Sequence, residues 1–94
     1  MIEKEILSST DSIYNYKSED GKTTLGYLEI RLVDGVVDIM SLFVNEEVRR
    51  RGIATSLMEH MLNNEEYSRI MLEVNENNIQ AIKLYNKLGF KEIS

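Results

Sequence analysis

Leu42-Phe43-Val44-Asn45-Glu46-Glu47-Val48-Arg49-Arg50-Arg51-Gly52-Ile53-Ala54-Thr55 is the stretch that decides how this chain is read. The apolar run ending at Val44 predicts a strand, and the apolar periodicity after Gly52 predicts a helix. Between them lies a basic, glycine-containing turn. A strand that feeds a helix through such a turn leaves the first helical N–H groups without partners. Those amides, with on the order of half a positive charge from the helix dipole, make a cradle for a pyrophosphate. Gly52 lets the backbone come close to the phosphates, and Arg49, Arg50 and Arg51 bring charge to the same place. The stretch has neither the glycine and lysine pattern of a P-loop nor the three glycines of a dinucleotide fingerprint. Its chemistry alone leaves two readings open, a phosphate cradle or a solvated arginine run on an ordinary strand-to-helix turn.

Upstream, Ser12 to Lys17 alternates and reads as a strand, and Asp20-Gly21 supplies the positive φ angles of a hairpin turn. Leu25 to Val33 places Leu28, Ile30 and Leu32 on one face and Tyr27, Glu29 and Arg31 on the other, a half-buried antiparallel strand. Asp34-Gly35 is a second hairpin turn. Val36 to Val44 is apolar on both faces, which predicts a central, buried strand. Met1 to Thr10 fits either a short first strand or an irregular lead-in. Downstream, Arg50 or Arg51 to about Asn64 is an amphipathic helix with Ile53, Leu57, Met58, Met61 and Leu62 on one stripe. Ser68 or Arg69 to Val74 reads as a strand, and Asn77 or Asn78 to Leu88 as a helix that starts at asparagine and stops at Gly89. Phe90 to Ile93 begins a last short strand. The order predicts an α/β (α+β) fold: a mixed, largely antiparallel sheet, one parallel pair made by the crossover from Val44 to Ser68, and two main helices.

Ninety-four residues make one small domain, spanning residues 1–94. The 43% apolar and 29% charged content fits a globular protein and excludes a disordered tail. No apolar run approaches a membrane span, and the N-terminus has no signal-peptide layout. The absence of cysteine removes disulfides and thiol catalysis, and one histidine, His60, is too few for a usual all-protein metal site. A cytoplasmic, metal-free protein is expected. The net charge of −5 argues against nucleic-acid binding, which needs a basic face. The three arginines are a local positive spot that suits a small anionic ligand.

Arg49-Arg50-Arg51-Gly52-Ile53-Ala54 resembles the acetyl-CoA pyrophosphate motif of the GNAT N-acetyltransferases, (Arg/Gln)-x-x-Gly-x-(Gly/Ala). The family's second motif, Asn-x-x-Ala-x-x-Leu-Tyr-x-x-x-Gly-Phe, is matched by Asn78, Ala81, Leu84, Tyr85, Gly89 and Phe90. The two motifs stand in the family's order, separated by one strand's worth of sequence. The resemblance runs from about Thr24 to Phe90 and is closest to the branch that acetylates protein N-termini on ribosomal protein. It implies acetyl-CoA as cofactor and CoA as product. Carried over by position, Leu42, Phe43 and Val44 would hold the pantetheine arm through their backbone, and Arg50 to Thr55 the pyrophosphate. Asn78 would contact the cofactor near the pantetheine arm while also serving as an ordinary helix N-cap.

The resemblance gives Tyr85 the role of acid toward the departing thiolate, a task that a phenol of pKa near 10 can perform. Ala81, Leu84 and Leu88 around it fit a plain core tyrosine equally. Glu73 is the candidate base, and it precedes Tyr85 by twelve residues, as in the ribosomal branch. A carboxylate in an apolar strand is costly unless paired, and partial desolvation would raise its pKa to a useful value. A solvent-facing Glu73 on a half-exposed strand is the other reading. His60 reads as a surface residue, and Met58 and Met61 as core.

Members of the family usually run longer. The portion missing here is mostly N-terminal, a first strand and two helices that wall the acceptor pocket, and the closing strand is short or absent. Three readings follow: a second copy completes the site as a homodimer, a protein substrate docks on an open groove, or the chain binds acetyl-CoA without efficient turnover. The expectation is direct transfer of acetyl from acetyl-CoA to an amine, a protein N-terminus or lysine rather than a small molecule, with backbone amides as oxyanion donors and no acyl-enzyme. The alternative is a non-catalytic acyl-CoA-binding regulatory or interaction module.

Overall fold

The turn at Asp34-Gly35 sets the register on which the sheet is built. Both residues have positive φ, 50° and 78°, a tight-turn geometry whose twist matches the strands it joins. Those strands are β3 (Thr24–Val33) and β4 (Val36–Val44). The computed structural model describes residues 1–74 and 76–91. It adds β1 (Ile2–Ile6), β2 (Asp11–Lys17), α1 (Ile53–Asn64), β5 (Arg69–Met71) and α2 (Ile79–Lys87). The five strands form one sheet in the order β1-β2-β3-β4-β5. The first three pairings are antiparallel and the β4–β5 pairing is parallel. This is the mixed sheet with two helices that the sequence predicts.

Alternation along β3 explains where the core lies. Gly26, Leu28 and Ile30 are buried, and they meet the stripe Ile53, Leu57, Met58 and Met61 of α1, with Tyr14 and Val37 from the flanking strands. Each such side chain contributes roughly 1.5–3 kcal/mol on burial. Gly26 is required by close approach: a Cβ there would stand 2.8 Å from the Phe43 carbonyl oxygen and 3.2 Å from Ile53 Cγ2. Its bare backbone lets β3, β4 and the start of α1 meet.

Several elements differ from the sequence reading. The first strand is present as β1, and only the four-residue turn Leu7–Thr10 joins it to β2, so it is the two helices that are missing at this point. β4 holds an interior place, yet Met40 and Phe43 are 46% and 42% exposed. The reason is that α1 covers one face only and β5 flanks just Val36 to Asp38. Met40 is an extra residue, since Glu29 pairs with Ser41 while the next residue, Ile30, pairs with Ile39. β5 ends at Met71 rather than Val74, which puts Glu73 beyond the strand. A short 3-10 turn, Glu46–Val48, precedes α1, which begins at Ile53. Phe90 and Lys91 are not in a strand, and the rest of the predicted closing strand lies outside the described residues.

The C-terminal end of α1 is clipped to the sheet by polar groups. Glu65, whose side chain is 8% exposed, receives Lys4 Nζ at 2.7 Å and the hydroxyl of Tyr14. His60, predicted as a surface residue, is half-buried and sets its ring edge-on to Tyr14 at 5.4 Å. Burial opposes ionisation of Glu65, but the hydrogen bonds from Lys4 and Tyr14 outweigh it and hold the carboxyl below its ordinary pKa. A lowered folded-state value means stability that is present above the unfolded value of 4.5 and lost as pH falls through the folded one. Tyr14→Phe removes one donor from a buried carboxylate and should cost about 1–3 kcal/mol at neutral pH. Thermal melts of both proteins between pH 7 and pH 3 should show the gap narrowing toward acid; a constant gap would mean that Tyr14 acts by packing alone.

Candidate active site

Pairing between β4 and β5 stops at Asp38 and Met71 among the described residues. Past that point β4 runs on to Val44 with no strand on that side among the described residues, and α2 stands across the opening. The resulting groove holds about 500 Å³. Its near wall is Leu42, Phe43 and Val44, its end is Arg49, Arg50 and Gly52 to Thr55, and its far wall is Asn78, Gln80, Ala81, Lys83 and Leu84. Of the residues expected at a cofactor, Arg51 alone stands outside this lining; it is exposed.

The end of the groove is organised by backbone geometry. Asn45 is tied to β3, its amide donating to Leu25 O at 2.8 Å and its side chain to Thr24 O at 3.2 Å. Arg49 Nε donates to Val44 O at 3.0 Å, folding the turn back on β4. Arg50 and Gly52 both take left-handed angles, φ 67° and 79°. Gly52 occupies the N-cap of α1 with no capping side chain. The first helical amide to find an acceptor is Ser56, bonded to Gly52 O at 2.9 Å. The N–H groups of Ile53, Ala54 and Thr55 therefore have no acceptor within the helix, and these three residues line the groove. Three cations line it and no carboxylate does, in a chain with 16 acidic and 11 basic residues.

A second cavity of about 220 Å³ adjoins the first. Leu42, Asn78 and Ala81 line both. Tyr85, Glu73, Met40 and Ser41 line the second, so the two candidate proton-transfer residues share one chamber. Tyr85 is half-buried with Phe90 edge-on at 5.9 Å, and burial raises its pKa. The side chain stays protonated near neutrality, as an acid must. Glu73 is exposed, because β5 ends before reaching it. The solvent-facing reading describes its position. Asn78 does cap α2, its Oδ1 accepting from Ala81 N at 3.1 Å, while its side also faces both cavities.

The model of the acetyltransferase (GNAT) family matches residues 3–90. The chain belongs to the GNAT family. It is 40% identical over 75 residues to an N-alpha-acetyltransferase of Saccharolobus solfataricus, a match covering 72% of this chain and 45% of that protein. The crystal structure of an aminoglycoside acetyltransferase from an uncultured soil metagenomic sample superposes with a TM-score of 0.82 at 25% identity, over 94% of this chain and 64% of that one. The ribosomal-protein-S18-alanine N-acetyltransferase of Escherichia coli gives 0.84 at 21% identity, over 93% and 57%, a likeness of fold. The chain spans less than half the length of the curated relatives it matches. Acetyl-CoA, the cofactor expected from the motifs, is the family's cosubstrate.

The groove residues that sequence reasoning missed are Gln80 and Lys83, which occupy unspecified positions of the second motif; Ala81 and Leu84 were named in that motif without being placed at the cofactor. Helical spacing was the available signal, since residues three and four apart share a face with the motif's asparagine and alanine. Among the described residues no helix is long and apolar enough to cross a membrane, and no cluster of three metal-binding side chains occurs.

A Cβ at Gly52 would meet no protein atom within 4 Å. Gly52→Glu should therefore leave the fold intact at a backbone cost of about 1–2 kcal/mol for the left-handed angle. Acetyl-CoA at 100 times its Kd should raise wild-type stability by roughly 2.7 kcal/mol, and this gain should vanish in the variant when both are followed by thermal shift. A gain retained in Gly52→Glu would put the ligand elsewhere.

Proposed function

We propose that the chain transfers acetyl from acetyl-CoA to a protein amine, an N-terminus or a lysine, by direct attack. The observation that supports this best is the junction of the two cavities. A groove suited to a thioester cofactor opens at Leu42 and Asn78 into the chamber holding Tyr85 and Glu73. In the proposed reaction the pantetheine arm lies along Leu42 to Val44 and the pyrophosphate on the free amides of α1, with Arg50 beside them. The acceptor nitrogen attacks the thioester carbonyl, the C–S bond breaks, and Tyr85 gives its proton to the leaving sulfur. Exposed Glu73 takes the ammonium proton through water rather than by contact. Backbone N–H groups of β4 freed by the parting from β5 are the oxyanion donors in this scheme.

The acceptor class rests on the turn between β1 and β2. Four residues there leave no helical wall over the chamber, and a macromolecule brings its own wall where a small amine would be held poorly. The same feature favours the second reading, an acyl-CoA-binding module without turnover. Tyr85→Phe separates the two. A transferase should lose about 10²–10⁴-fold in kcat while its Kd for acetyl-CoA, measured by calorimetry, moves less than about twofold, a change under ~0.4 kcal/mol. Turnover unchanged in Tyr85→Phe would remove the acid from the scheme, and no acetylation of peptide or protein amines by wild type would favour the binder.

A further inference from the structure

Resting on the reading of the groove as an acetyl-CoA site, we propose that Lys83 of α2 recognises the 3′-phosphate of the cofactor's adenosine and selects CoA over its 3′-dephospho form. Coenzyme A carries three phosphates, and the two of the pyrophosphate are served on one wall by the free amides of Ile53, Ala54 and Thr55 with Arg49 and Arg50. The ribose phosphate needs a cation elsewhere. Lys83 is the one cation that α2 gives to the groove lining. Along α2 the rows divide: Asn78, Ala81 and Tyr85 face the reaction chamber, whereas Gln80, Lys83 and Leu84 face the groove and not the chamber. Lys83 is thus set on the cofactor side of the helix and away from the transfer chemistry.

The surroundings leave its charge available. Neither ion pair among the described residues involves Lys83. The α2 sequence, Ile79 to Lys87, contains no acidic residue, and no carboxylate lines the groove. On a chain of net charge −5, acids absent from both walls leave an anion's field uncancelled there. Lys87, one turn further along α2, has the same charge and exposure but stands outside the groove lining. It supplies the control for long-range attraction, which would act on both lysines alike.

Calorimetric titration of wild type, Lys83→Ala and Lys87→Ala with CoA and with 3′-dephospho-CoA tests the assignment. Wild type should bind CoA about tenfold more tightly than the dephospho form, the size of one partly exposed charge-assisted contact. Lys83→Ala should lose that preference by weakening CoA alone, and Lys87→Ala should keep it. Raising salt from 0.05 to 0.5 M should shrink the wild-type preference. Equal binding of both ligands by wild type, a preference that survives Lys83→Ala, or equal losses in the two variants would overturn the role of Lys83. Binding of neither ligand by wild type would overturn the acetyl-CoA reading itself, and the assignment with it.

Discussion

The site depends on the separation of two neighbouring strands. β4 and β5 hold three residue pairs in parallel register and then part, and everything that faces a ligand is placed by that opening. A strand running on beyond its partner keeps polar N–H and C=O groups that must be satisfied by something else. Continuous pairing would have closed the sheet and removed the groove. Here the extra residue Met40 shifts the register of β4 against β3 two residues past the last pair with β5, and Ser41 to Val44 stay paired to β3 while their other edge has no partner strand among the described residues. Gly26 works from behind: it lets the backbone of β4 and Ile53 of α1 approach β3 closely, which fixes where the helix begins relative to the end of β4.

Charge is distributed to the same end. The chain is acidic overall, yet the groove carries Arg49, Arg50 and Lys83 and no carboxylate. The cations are not equivalent. Arg49 is partly spent on Val44 O, Arg50 is a left-handed turn residue, and Arg51 is exposed outside the lining. A run of three like residues thus resolves into a structural tie, a second groove-lining cation and one outside the lining.

Turn chemistry and period were legible in the sequence. Asp34-Gly35 announced its hairpin, the alternation of Leu28 and Ile30 gave the buried face of β3, and the spacing of Ile53, Leu57, Met58 and Met61 gave the buried stripe of α1. Asn78 was recognisable as a helix start, whereas α1 begins at Ile53 rather than at the predicted Arg50 or Arg51, and ten of the eleven residues named for the cofactor line one groove. What failed had a tertiary cause. Apolar residues at Leu72 and Val74 suggested a longer β5, but strand length is set by the partner, and β4 leaves its partner after Asp38. That shortening also exposes Glu73, whose environment no local pattern could give. Met1 to Thr10 fitted either a short strand or an irregular lead-in because a charged edge strand, Ile-Glu-Lys-Glu-Ile, satisfies no simple apolar alternation. Lys4 pairs with Tyr14 in the β1–β2 ladder and also reaches Glu65, sixty-one positions away in sequence.

Stability and function sit at different ends of the molecule. The clip of Lys4, Tyr14 and Glu65 and the fully buried side chains Leu28, Leu57, Met58 and Met61 belong to β1, β2, β3 and α1. α2, by contrast, has no buried residue and joins the core through the half-buried Tyr85 and Leu88, with Phe90 just beyond it. A helix attached by so little apolar area contributes little to its own placement, because the cost of ordering it consumes most of the gain. In the proposed reaction the acid Tyr85 would sit on this lightly attached helix, and a cofactor lying between the start of α1 and Asn78 would give α2 contacts that its own small apolar area does not supply.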